Sequence, residues 1–217
     1  IIWVTVPVVV VCFFGRGYLA RMIFSRNAPE IAAIFGFLTG AIFFRTIYTI
    51  VSRYFYAQKD TWTPLIDTLL AFGLFIYLVS VFSKPTSYGI TGIALAEAIV
   101  AGFQLFILTT IMVMRDHKLF DKKFLGGLGK IVSVTGFSVM AAYIMVSLFP
   151  LSSTDTGFIT LTAKMSLITG VTFGVYLFFS SLFGLEETIP VFRKIRSVWR
   201  TIMRPVTREK NSSTGLP

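Results

Sequence analysis

One cysteine and one histidine are all that 217 residues contain of the two side chains best suited to holding soft metals. Cys12 alone excludes an internal disulfide and a Cys-based metal site, and His117 falls in a charged run where a solvated imidazole is expected. Charge is scarce too: Asp, Glu, Lys and Arg make up 14% of the chain, against about 25% in an ordinary soluble domain. There is no nucleophile–base pair, no carboxylate dyad and no His/Asp/Glu run at metal-ligand spacing. The sequence therefore gives no support to an enzyme, a metal site or a cofactor. Gly126-Gly127-Leu128-Gly129 lacks the Lys-Ser/Thr of a phosphate-cradling loop and is read as a turn at a helix start.

What the chain has instead is apolar surface: 55% hydrophobic residues and a mean hydropathy of +0.79. Six apolar segments stand out, Ile1–Phe14, Ile31–Ser52, Leu65–Phe82, Ile90–Met114, Leu128–Phe149 and Leu161–Phe183. About 20 helical residues at about 1.5 Å each cross about 30 Å of hydrocarbon. The fold class is all-α, a polytopic transmembrane helix bundle. Ile1–Phe14 is short of a span and has no charged flank before it, so it is read as the continuation of a longer chain and not as a signal peptide.

The net charge of +10 is distributed as membrane orientation requires. If the segments alternate sides, fourteen Lys and Arg fall on the side of Arg53 and Arg115 and on the tail, and five on the other. The positive-inside rule then puts the loop after Arg53 and the C-terminus in the cytoplasm, and a nucleic-acid partner is not expected. Arg16, Arg21 and Arg26 are discordant, since they count on the outer side. Small residues one turn apart (Gly36 and Gly40; Gly170 and Gly174; Ala94, Ala98 and Gly102) predict close helix packing. Residues 186–204 alternate Ile189, Phe192, Ile195 and Ile202 with Arg193, Arg196 and Arg200, the pattern of an amphipathic basic helix on an anionic leaflet. Residues 205–217 read as a disordered tail.

Charged groups inside a bilayer cost about 2.5–3.5 kcal/mol at mid-helix on insertion scales. Arg45, Glu97 and Gln104 therefore attract functional interest. Tyr48, Thr49 and Ser52 continue a polar stripe from Arg45, while Glu97 and Gln104 share a face with Ala94 and Ala101. Three arrangements satisfy these residues: a shared polar cavity, a buried Arg45–Glu97 ion pair, or Arg45 reaching to the interface. Asp67 is read as a first-turn acid complementing a helix dipole.

The polar run Arg53-Tyr-Phe-Tyr-Ala-Gln-Lys-Asp-Thr-Trp-Thr-Pro64 is expected to be a loop at a membrane face, with Thr63 as N-cap and Pro64 as first helical residue. This run, with Arg53, Tyr56, Asp60, Thr63 and Pro64 as its marks, lies between Phe14-Gly-Arg-Gly and Gly89-Ile-Thr-Gly-Ile-Ala-Leu-Ala96. Together the three stretches resemble the MurJ (MviN) family of lipid II flippases in the MOP transporter superfamily, from about Pro7 to the basic tail.

The resemblance implies the last six of fourteen helices of a bacterial inner-membrane transporter that moves lipid II by alternating access in cell-wall biogenesis. It implies lobe helices over 1–125 and a pair of helices over 126–185 forming a groove for the lipid tail. With it, the polar faces described above give Arg45, Thr49, Ser52, Glu97 and Gln104 substrate-cavity roles, with lipid II and membrane lipids as partners; cell-wall synthesis proteins are the partners of the scaffold alternative. Two departures stand out. A basic residue of the family falls at Thr49, with Arg45 one turn away. The family's sodium-binding positions hold Phe75, Val79 and Glu97, which makes Glu97 an ion-coupling candidate. Two alternatives remain at this stage: another exporter of the superfamily, and a non-transporting scaffold for cell-wall proteins.

Overall fold

A computed structural model describes residues 2–24, 28–84, 88–116, 122–151 and 157–184. Its elements are α1 (Ile2–Phe14), α2 (Arg16–Ile23), α3 (Ala28–Ala57), α4 (Trp62–Phe82), α5 (Thr91–Arg115), α6 (Lys122–Leu148) and α7 (Phe158–Leu182). No strand occurs among the described residues. Helices α3 to α7 are each long and apolar enough to cross a membrane, and α1 with α2 forms a sixth span if the bent pair counts as one. The basic segment 186–204, the tail, His117 and residues 152–156 lie outside the described residues.

Several boundaries differ from those expected. The run Arg16–Ile23 is helical, not a loop, and turns 65° from α1. Gly15 marks the break. A Cβ there would lie 2.7 Å from the Val11 carbonyl oxygen of α1, a backbone atom that cannot swing aside, and against the end of the Met165 side chain of α7, so glycine suits the bend. Arg16 then lies with its guanidinium over the Phe13 ring, 4.7 Å from the centroid, and against Gly36 of α3. Close approach at Gly36 is thus to an arginine side chain. Gly170 and Gly174 face open space and contact no neighbouring helix; the buried stripe of α7 is Leu161, Ile168, Thr172, Tyr176 and Ser180. Gly126–Gly129 is inside α6, not a turn.

Helix α3 runs through Arg53 to Ala57, so the first five residues of the expected loop are its last turn and a half. Its end follows from backbone bonding. Asp60 N–H donates to Phe55 C=O at 3.0 Å and Lys59 N–H to Tyr56 C=O at 3.0 Å, with Lys59 at φ 61°. This is a Schellman closure with lysine at the left-handed position that glycine usually fills. Helix α4 begins at Trp62, not at Pro64, and Thr61 gives no capping hydrogen bond. Asp60 caps instead, its carboxylate accepting from Thr63 N–H at 3.1 Å and Thr63 Oγ1 at 2.7 Å.

The helices pack in two groups joined through α3. Helix α5 lies against α3 and α4; α1, α6 and α7 pack together; α1 and α2 also touch α3. Val51, Phe55 and Leu108 form the core of the first group, and Trp3, Val6, Val10, Val134, Ala142 and Tyr176 that of the second. On α4 the side chains of Leu65, Ile66, Leu69, Phe72 and Ile76 are exposed, a face that lipid can cover without cost.

Candidate functional site

The polar groups of the first group meet in a cleft of about 270 Å³ between α3, α4 and α5. Arg45 enters it from α3, Thr68 from α4, and Glu97 and Gln104 from α5, with Phe72 and Phe75 as an aromatic wall. Glu97 and Gln104 are seven residues apart, two turns of one helix face, so both reach the same opening. Small residues make the meeting possible: Ala94 and Ala101 are buried on that face of α5, and Gly102 lies under the Phe44 ring of α3.

Arg45 pairs with Glu97. Its Nε donates to Glu97 Oε1 at 2.7 Å, and Nη2 contacts the same oxygen. The arginine side chain is 54% exposed and the glutamate 23%, so this is an open pair at the cleft mouth. Arg45 does not reach away to the interface.

Beneath the pair lies a polar cross-brace. Thr68 donates its hydroxyl proton to Pro64 C=O at 2.8 Å, which leaves its oxygen to accept from Gln104 Nε2 and from Tyr48 Oη, each at 3.3 Å. Three helices are thereby linked through one hydroxyl. Asp67 is 2% exposed, and neither carboxylate oxygen has a hydrogen-bond partner among the described residues. It is the sixth residue of α4, past the first turn, so it does not serve the dipole role expected of it.

Thr49 and Ser52 are placed differently from the other cavity candidates. Each hydroxyl bonds back to its own helix, to Arg45 C=O at 2.9 Å and Tyr48 C=O at 2.8 Å, and neither lines the cleft. Thr68 and Phe72 line it unforeseen, and Phe75, named above only at a family sodium position, lines it as well. Nothing local in the sequence singles out Thr68, since Thr49 and Ser52 make the same bond to the carbonyl four residues back.

Of the loop-motif residues, Asp60 makes the long-range contact. Besides Thr63 it accepts from Arg115 Nη1 at 2.6 Å, at the C-terminal end of α5. The two Thr63 hydrogen bonds, helped by Arg115, hold the Asp60 carboxyl down at about 2. The Arg115 guanidinium also sits 5.5 Å over the buried Phe55 ring. Arg53 and Tyr56 are exposed near the end of α3.

A second opening, also about 270 Å³, is lined by Val6, Val9 and Val10 of α1, Phe43 and Ile47 of α3, and Leu128 and Ile131 of α6. It is apolar throughout apart from Thr135. It lies beside α6, at the seam with α1 and α3; α7 does not line it. Among the described residues no group of three His, Cys, Asp or Glu side chains is placed to hold a metal.

Five long apolar helices, three of them enclosing an arginine-bearing cleft, define a multi-pass helical membrane protein. The family model described as "Lipid II flippase MurJ" matches residues 1–178, and the chain belongs to that family. The match ends inside α7, short of the basic tail. Compared with curated proteins one by one, the chain finds no significant match. Membership makes this a multi-pass inner-membrane protein of a family of transporters.

Proposed function

We propose that this chain forms one wall of a lipid II flippase and that the α3–α4–α5 cleft receives the diphosphate of the lipid-linked precursor during alternating access. One observation carries the reading: a membrane-embedded arginine, more than half exposed, stands in a cleft whose other polar groups are a carboxylate, an amide and a hydroxyl. A guanidinium is the side chain best matched to phosphate oxygens. The apolar seam between α1, α3 and α6 is of the right character for a polyprenyl tail. Glu97 is the acid through which the cleft would couple to an ion. In this reading the α3–α4 loop and the C-terminus face the cytoplasm, as the distribution of Lys and Arg favours.

The test is complementation of flippase-depleted cells by the protein carrying Arg45→Ala or Arg45→Lys. Failure of the alanine variant, with partial rescue by lysine, is the expected result. Full growth with alanine at normal protein levels would remove Arg45 from the substrate path.

A further inference from the structure

Resting on that reading of the cleft, we infer that Glu97 is a built-in stand-in for the substrate's anion, occupying Arg45 when the cleft is empty and exchanging with diphosphate oxygen during loading and release. The geometry of the pair argues for exchange over permanence. Both Arg45 contacts go to a single oxygen, Oε1. The side-by-side fork in which guanidinium and carboxylate bind most strongly is not formed. Among the described residues, Glu97 Oε2 and Arg45 Nη1 make no hydrogen bond. One edge of the guanidinium is thus left for a second anion.

Exposure points the same way. Arg45 is 54% exposed and Glu97 23%, so an incoming group meets the cation first while the carboxylate holds it from the helix side. An ion pair this open is worth little net, and a diphosphate, with more charge and more acceptor oxygens, displaces it readily. Gln104 Nε2, bonded to Thr68 at a long 3.3 Å, supplies a second donor at small loss. The exchange makes and breaks no covalent bond. Arg45 passes from one carboxylate to one phosphate, and Glu97 becomes free to face water or bind a cation.

A merely structural Glu97 would hold Arg45 in place, and its loss would weaken anion binding. A competing Glu97 predicts the opposite sign. Calorimetric titration of the purified protein with inorganic diphosphate and with farnesyl diphosphate reads the difference, and the two probes separate headgroup from tail contributions. Glu97→Gln is expected to bind both about fivefold tighter, with Glu97→Ala moving in the same direction. The gain should vanish when Arg45→Ala is added. In reconstituted transport, Glu97→Gln should lower kcat and KM together, as release becomes slow.

Weaker or unchanged binding in both Glu97 variants, with Arg45→Ala still impairing binding, overturns the exchange and leaves the headgroup site intact. No effect of Arg45→Ala on either probe overturns both.

Discussion

The two helix groups solve the same problem, polar atoms in hydrocarbon, in opposite ways. In the α1–α6–α7 group, polar groups bond to one another across helices. Trp3 Nε1 donates to Ser180 at 2.5 Å, Tyr176 Oη donates to Trp3 C=O at 2.8 Å, and Tyr18 Oη reaches Phe149 C=O from the neighbouring α2. Stacked rings, Phe137 on Phe179 at 4.1 Å, fill the rest. Ser138 is the exception, buried without a hydrogen-bond partner for its hydroxyl among the described residues. In the cleft of the α3–α4–α5 group the two hydrogen bonds that cross helices at Thr68 are long, at 3.3 Å, the Arg45–Glu97 pair is open, and among the described residues the Asp67 carboxylate has no hydrogen-bond partner. A saturated network fixes a packing; an unsaturated one leaves groups ready for something that arrives later.

Substitutions can break this contrast. The largest expected effect is Tyr176→Ala. At about 24 cal/mol per Å³ of cavity, a lost ring of roughly 100 Å³ costs about 2–3 kcal/mol, read as a lower midpoint of thermal unfolding in detergent. Diphosphate affinity should not change, and a parallel fall would show that the two groups are not separable. Arg45→Ala should do the reverse. Losing hydrogen bonds worth about 1.5–3 kcal/mol to a charged ligand lowers transport by about ten- to hundredfold, while an open pair contributes at most about 1 kcal/mol to stability.

Ser180→Ala is a smaller probe of the saturated side. Interhelical hydrogen bonds in lipid average about 0.6 kcal/mol, so a modest loss of stability with full transport is expected. The smallest effect belongs to Asp60→Asn and depends on pH. Because folding lowers the Asp60 pKa from 3.8 to about 2, its stabilisation is complete above about pH 4 and disappears as pH falls through 2. The melting difference between wild type and Asp60→Asn should therefore shrink across that window; a constant difference would show that the carboxylate's charge is not what matters.

The spans were legible because length and apolarity decide them with little help from tertiary structure. Their ends were less so. Arg53 to Ala57 mixes charge with aromatic rings, which reads as loop, yet such side chains sit comfortably on a helix leaving the bilayer. The cap of α4 was assigned to Thr63 by its adjacency to Pro64, whereas the capping oxygen comes from Asp60, three residues earlier. Arg16 and Arg21 hid α2, and the packing of Arg16 over Phe13 of α1 and against Gly36 of α3 is invisible in one dimension. The Arg45–Glu97 pairing was among three readable arrangements, and choosing between them required the relative rotation of α3 and α5. Asp67 looked like a first-turn residue for the same reason that Thr63 looked like a cap: the helix start was placed two residues late.

Asp60 has a mechanical consequence. Its N–H closes α3, its carboxylate opens α4, and the same carboxylate grips Arg115 at the end of α5. One residue thus ties three rods together at one end. If the cleft widens as the proposed transport requires, this shared residue predicts that the splay falls at the opposite ends, where Gly92 brings the start of α5 against the last turn of α4.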